Sequence, residues 1–324
     1  MKKRLLLSLL TVWVALTFTF ILVRQMPGDF LHTLALQLQN THGLAYAQAR
    51  EMAKLQICYD PDEPILKQYF HYLSNLAQGE LGRSTTYRIP VLDILLSALP
   101  WTVFITFLAA GFSFVVGTTL GFWTAWRRGS WLDPALTFYA TLTQAIPDFL
   151  LGVMLLLVLG VQLQWLPLRG AYSPETEPGL NLPFLASLLQ HAVLPVLAFS
   201  IPAVGSWALS AKATATSVLG EDYLLVARAK GLKSWRILRD YLGRNAIIPL
   251  ISNLATSLGA LLGGSMLIET LFGFPGLGYF LAQSIGTRDY PLMQGLFLLS
   301  TLAIVAGNLA AEILSHQLDP RSRR

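Results

Sequence analysis

Six apolar stretches, each long enough to cross a bilayer as a helix, constrain this chain more than any other feature. A hydrocarbon core of about 30 Å needs roughly 20 apolar residues at helical rise. Residues 5–23, 101–126, 135–163, 192–210, 247–271 and 292–314 meet that requirement. The 324 residues are 54% hydrophobic and only 13% charged, whereas a soluble domain carries about 25% charge. That is too little charge for a water-facing surface of ordinary extent, so the lipid bilayer is the expected solvent for much of the chain. The expectation is an all-α, polytopic membrane protein with six transmembrane helices. Its first helix lies in 1–25, an external segment fills 26–98, and 99–324 form a core of five helices.

Lys2, Lys3 and Arg4 ahead of the first apolar run would also suit a secretory signal. The run exceeds the roughly 7–15 residues of a signal core, and Val23 to Asp29 hold no small-x-small cleavage site. A retained first helix is therefore expected. Lys and Arg in short loops set the orientation. One side collects Lys2, Lys3, Arg4, Arg127 and Arg128. It also collects Lys212, Arg228, Lys230, Lys233, Arg236, Arg239 and Arg244, then Arg321, Arg323 and Arg324. The later loops of the other side have only Arg169 and Arg288. Both termini are expected in the cytoplasm, with the helices in the cell (inner) membrane.

Several chemistries have no residues to carry them. The single cysteine, Cys58, forms neither an intrachain disulfide nor a thiolate metal site. The five histidines are scattered without metal-ligand spacing. No Gly-x-x-x-x-Gly-Lys-Ser/Thr phosphate loop occurs, so ATP hydrolysis by that route is excluded. No cofactor and no nucleic acid is expected, because the net charge of +5 follows from where the basic loops sit. Pro147, Pro195, Pro202, Gly259, Gly263 and Gly264 interrupt the spans. Such breakers survive when neighbouring helices satisfy the freed backbone groups. They suit a bundle that moves and ordinary tight packing equally.

Two regions outside the spans carry information. Residues 45–55 and 65–78 have helical apolar spacing with aromatic residues interleaved, separated by Pro61 and Pro64. They predict short helices near the membrane surface, serving as a connection or as a docking or gating surface. In the loop 212–245, Glu221 and Asp222 suit a helix N-terminus, and Arg228 and Lys230 its C-terminus. Gly231 can take the left-handed conformation that stops the helix. Ser234 is placed to cap a second helix through Trp235, Ile237, Leu238 and Tyr241. A basic amphipathic stretch of this kind can lie on anionic lipid or dock a partner.

The run Asp222-Tyr223 to Ala227-Arg228-Ala229-Lys230-Gly231-Leu232, followed by Arg244-Asn245-Ala246-Ile247-Ile248-Pro249, resembles the cytoplasmic loop of ABC-importer permeases. Of that superfamily's Glu-Ala-Ala-x-x-x-Gly pattern only Ala227 and Gly231 match, with Leu225 and Val226 at the first two places. The long interval from Gly231 to Pro249 is usual in the dipeptide/oligopeptide/nickel branch. Glu269-Thr270-Leu271-Phe272-Gly273-Phe274-Pro275-Gly276-Leu277-Gly278, then Arg288-Asp289-Tyr290-Pro291 and Gln294-Gly295, is similar to that branch's most specific signature. Leu81-Gly82-Arg83-Ser84 with Pro90-Val91, and Leu318-Asp319-Pro320-Arg321, resemble its first external loop and its C-terminus. The likeness runs nearly the whole chain and departs at residues 56–63.

The resemblance implies a type I ABC importer permease fold and an ATP-driven, binding-protein-dependent importer. It implies a second homologous permease subunit, two ABC ATPase subunits and an external substrate-binding protein. The substrates it implies are di- and oligopeptides, with glutathione, opines and nickel or other metal chelates as alternatives. It also implies a coupling surface to the ATPase formed by Asp222, Tyr223, Ala227, Arg228, Ala229, Lys230 and Gly231, with Ala227 keeping the docking face small.

Asp148 beside Pro147 is an acid inside a span, and such acids are functional candidates. It either faces the pathway, attracting an ammonium group or a metal cation, or satisfies backbone freed by Pro147 or a polar group on a partner. Glu269 and Arg288 can pair in an external gate or stabilise loops. The glycine-rich turn of Phe272, Phe274, Pro275, Gly276 and Gly278 is expected to re-enter tightly and close the pathway from outside. The rival classes are an ion-coupled secondary transporter, which would need inverted repeats and buried ion ligands, and a membrane-embedded enzyme. No internal repeat supports the first and no catalytic constellation the second.

Overall fold

A computed structural model describes residues 2–25, 30–57, 63–127, 129–264 and 266–318. Cys58, Pro61, Arg128 and the Asp319-Pro320-Arg321 stretch lie outside the described residues. The described residues form helices joined by turns and loops, and among them the sole β-contact is one isolated antiparallel bridge between Arg83 and Pro90. The chain divides into two compact units, Met1–Pro100 with Gly276–Val305, and Trp101–Pro275 with Ala306–Arg324.

The first unit opens with α1 (Lys2–Gln25), α2 (Phe30–His42), α3 (Tyr46–Ile57) and α4 (Ile65–Ala77). The expected external helices are α3 and α4. Helix α2 is an addition, although Leu31, Leu34, Ala35 and Leu38 already stand at helical spacing. Those four side chains are buried against Ala49 and Ala53 of α3, which makes a helical hairpin. Helix α4 packs on α1 through Tyr69, edge-on to Phe20 with ring centres 5.2 Å apart. The hydroxyls of Tyr69 and Thr17 lie 2.6 Å apart. The start of α5 (Val91–Trp126) packs on α13 (Leu277–Thr287) and the start of α14 (Tyr290–Leu318). Val91, Ile94, Leu95, Leu277, Leu292 and Leu296 are the buried contacts.

The second unit takes the rest of α5, then α6 (Leu132–Ala145) and α7 (Asp148–Leu155), which continues as a π-helical turn, Leu156–Gln162. The expected third span is thus two arms meeting at 95°. Pro147 is the physical cause: it has no N–H to extend the helix, and its ring drives the preceding residue out of helical conformation. Ile146 is accordingly extended, at φ −99° and ψ 121°.

Helix α8 (Leu182–Leu219) runs on through both Pro195 and Pro202. Asn181 caps it, accepting a 2.8 Å hydrogen bond from the Phe184 amide. Gly117 and Gly121 of α5 form a Gly-x-x-x-Gly face against α8. A Cβ on Gly121 would lie 2.3 Å from the Ala208 carbonyl oxygen, so the close approach requires glycine.

Beyond α9 (Asp222–Ala229), α10 (Ser234–Arg236) passes through a π-helical turn, Ile237–Gly243, into α11 (Arg244–Gly264), and α12 (Met266–Phe272) follows. The expected Ser234 cap is not made: Ser234 is the first helical residue, and Lys233 before it offers no side-chain acceptor. Among the described residues, α5, α8 and α14 are each long and apolar enough to cross a membrane, and the bent α6–α7 pair qualifies jointly. Helix α1 adds a shorter apolar run, Leu6–Leu22.

Candidate functional site

Helix α9 is stopped by a left-handed residue and held by a buried face. Gly231, at φ 70°, donates its N–H to the Arg228 carbonyl at 2.9 Å. The Leu232 N–H donates to the Ala227 carbonyl at 3.3 Å. This pair of bonds is the Schellman stop, and Leu232 supplies its usual hydrophobic contact by packing against the cluster of Leu224, Ala227 and Ile237. Leu224, Ala227 and Ile237 are buried, with Trp126, Val218 and Leu219 around them.

Ala227 therefore faces its own chain rather than outward, which corrects the expected docking role of its small side chain. What α9 presents instead is Leu225, 72% exposed, and Val226, 51% exposed. Tyr223, stacked on Tyr241, and Asp222, Arg228, Ala229 and Lys230 are exposed as well. Nearby, Arg239 donates to Asp240 at 2.7 Å. That hydrogen bond holds the Asp240 carboxyl below the usual carboxylate range and raises the Arg239 guanidinium.

Asp148 begins α7 directly after the Pro147 break and lines a cavity of about 400 Å³. Gln144 of α6, Ser113 of α5 and Ser206 of α8 line it with Asp148, and Phe199 and Pro202 supply an apolar wall. Among the described residues, no group of three His, Cys, Asp or Glu side chains could hold a metal ion.

Glu269 is fully buried in α12 and accepts a 2.8 Å hydrogen bond from the Thr102 hydroxyl. The helix then ends in a second Schellman stop. Gly273, at φ 60°, donates to the Thr270 carbonyl, and the Phe274 N–H donates to the Glu269 carbonyl at 2.8 Å. Phe272 and Phe274 are buried, Phe274 edge-on to Trp101, and the Gly170 N–H donates to the Phe272 carbonyl at 2.8 Å. Only Gly273 in this turn needs a positive φ. Gly276 is extended at the start of α13, Gly278 is helical, and Pro275 is half-buried.

Arg288 closes α13 in left-handed conformation, φ 55°, with its side chain exposed. Its N–H donates to the Ile285 carbonyl, and that of Asp289 to the Ser284 carbonyl. Asp289, fully buried, accepts from the Ser84 hydroxyl at 2.5 Å, the Thr86 N–H at 3.1 Å and the Leu292 N–H at 3.3 Å. The Ser84 hydroxyl in turn accepts from the Tyr87 N–H. Burial, then Tyr279 and Asp289, push the Tyr87 hydroxyl above its ordinary pKa. Ser84 and Asp289 stand in two family-like motifs, and nothing in the spacing of those motifs announces that they meet.

Residues 117–324 match a family described as the binding-protein-dependent transport system inner membrane component. The chain is 34% identical over 322 residues to the glutathione transport system permease protein GsiC of Escherichia coli O6:H1, covering 99% of this chain and 97% of that one. It is 33% identical over 322 residues, with the same coverage, to GsiC of Shigella dysenteriae serotype 1. Among solved structures, the inward-facing MetNI methionine ABC transporter aligns at a TM-score of 0.54 and 19% identity, covering 70% of this chain and 97% of that chain. The low identity of that last pair speaks to fold alone. Taken with the apolar helices and the sharply stopped loop helix, these likenesses establish that the chain belongs to the binding-protein-dependent inner membrane permease family and has the type I ABC importer permease fold.

Proposed function

We propose that this multi-pass inner-membrane permease imports di- and oligopeptides delivered by an external binding protein, paired with a second homologous permease and driven by two ABC ATPase subunits. ATP hydrolysis takes place on those partners. The observation that carries the reading is α9, a short helix whose buried face is anchored on its own chain while Leu225 and Val226 stand exposed. Two apolar side chains held out from a sharply stopped, basic loop suit insertion into a groove on a partner protein. In this reading Asp222, Tyr223, Arg228, Ala229 and Lys230 frame the contact, and Ala227 and Gly231 set the angle of the helix. Closure of the ATPases then moves α9, and the spans rock between inward- and outward-facing states. The loop 212–245 and both termini are cytoplasmic in this reading, which the Lys and Arg distribution supports. The buried turn of Phe272, Phe274 and Pro275, with Glu269 behind it, forms the external gate, and Gly276, Gly278 and Arg288, farther along the chain, are the further gate candidates.

Glutathione, itself a tripeptide, is the second reading for substrate, favoured by the relatives at 33–34% identity whose name carries it. ATPase activity of the reconstituted complex tests both readings. Stimulation that requires the binding protein and a dipeptide supports the first. Stimulation with glutathione alone supports the second. Failure to associate with any ATPase overturns the coupling assignment.

A further inference from the structure

The cavity beside the α6–α7 break sets one acid and three neutral polar side chains in an otherwise apolar lining. Asp148 is its only acid, and an ionised carboxylate only accepts hydrogen bonds. Gln144 adds a side-chain amide, and Ser113 and Ser206 two hydroxyls, drawn from three further positions on α6, α5 and α8. The Ser113 hydroxyl donates to the Ala110 carbonyl of its own helix at 3.2 Å, so towards the cavity it acts as an acceptor. Among the described residues Asp148, Gln144 and Ser206 make no side-chain hydrogen bond, so their capacity is open to a ligand. The remaining walls, Phe199, Pro202 and small alanines, are apolar. A volume of about 400 Å³ lies within the roughly 300–1,000 Å³ of small-molecule sites. One negative charge among neutral polar groups, in an otherwise apolar cavity, suits a compact cationic donor with an apolar body. A bare metal ion is poorly served, since a single carboxylate with an amide and hydroxyls leaves its charge uncompensated.

We propose that this cavity is a substrate waypoint within the permease itself, where Asp148 receives the free α-ammonium of a peptide and Gln144, Ser113 and Ser206 complete its hydrogen bonds. The proposal rests on the peptide-import reading and adds that the permease, and not the binding protein alone, tests for a free amino terminus. The first side chain of the peptide then lies against Phe199 and Pro202.

The test uses the whole reconstituted complex with its binding protein and a dipeptide carrying a photoreactive diazirine in its first side chain. The complex is trapped with ATP and vanadate, illuminated, and mapped by mass spectrometry. Labelling is expected within 109–113, 144–148 or 199–206. It should fall by about tenfold or more in Asp148→Asn, the size of one charge-assisted hydrogen bond, and persist in Asp148→Glu. Labelling absent from these segments while wild-type uptake proceeds overturns the waypoint and leaves peptide import standing. Equal labelling in Asp148→Asn overturns the role of the charge. A wild-type complex that takes up no peptide overturns the peptide reading, and the waypoint with it.

Discussion

The Ser84 hydroxyl donates to the Asp289 carboxylate at 2.5 Å, both groups buried, across a sequence separation of 205 residues. The same carboxylate accepts the Thr86 and Leu292 amides, so it ties the turn of 83–90 to the start of α14. Asp289→Asn turns an amide donor towards groups that are themselves donors, and its cost is set at about 1.5–3 kcal/mol by the lost charge-assisted bonds. Ser84→Ala removes one such bond and the acceptor of the Tyr87 N–H, for about 1–2 kcal/mol. Both should lower the Tm of the purified complex, Asp289→Asn further. An unchanged Tm in Asp289→Asn contradicts the clasp.

Arg288 occupies a left-handed position that costs a non-glycine residue about 1–2 kcal/mol. Arg288→Gly should hold or raise the Tm, whereas Arg288→Val, β-branched, should lower it. Uptake separates the two roles of this residue. Loss of uptake in a thermally stable Arg288→Gly complex assigns the guanidinium to the gate; retained uptake reduces Arg288 to a helix stop.

At the coupling loop, substitution of exposed and buried residues should divide two effects. Leu225→Asp places a charge on a 72%-exposed side chain, so it should leave the Tm unchanged and abolish binding-protein-stimulated ATPase activity. Ala227→Leu overpacks the cluster of Leu224 and Ile237, at a cost of about 1–3 kcal/mol. It should lower the Tm. The reverse pattern would place the docking surface on the other face of α9.

Gly231 has open space where a Cβ would go, so only its φ of 70° resists substitution. Gly231→Asn should therefore be mild, since Asn tolerates this conformation, while Gly231→Val should tilt α9 and uncouple ATP hydrolysis from uptake. Equal uptake-to-ATP ratios in the two variants would show that the stop does not set the coupling angle.

Gly121 leaves no such freedom. Any side chain there meets the Ala208 carbonyl of α8 at 2.3 Å, and that backbone atom cannot rotate away. Gly121→Leu should reduce the yield of folded complex severely, measured by size exclusion in detergent. Gly111→Leu on the same helix, where no atom lies within 4 Å of the added Cβ, should not.

The sequence by itself determined the membrane as solvent, the positions of the apolar segments, and the stop at Gly231. Each depends on residues close together along the chain: roughly 20 apolar neighbours, or one glycine after a helical turn. It also marked Pro147 as a break, because a missing N–H and a pyrrolidine ring act on adjacent residues. The 95° angle of that break was not legible, since the packing of α6 and α7 on α8 fixes it. Helix α2 was written in the spacing of Leu31, Leu34, Ala35 and Leu38, but only the matching face of α3 gives those residues something to bury against. The inward turn of Ala227, the pairing of Ser84 with Asp289, and the gathering of Gln144, Ser113 and Ser206 around Asp148 belong to the tertiary structure alone. Short-range rules decide which backbone conformations are cheap. Which distant side chains then share a space of a few ångströms depends on how whole helices pack, and no local spacing encodes it.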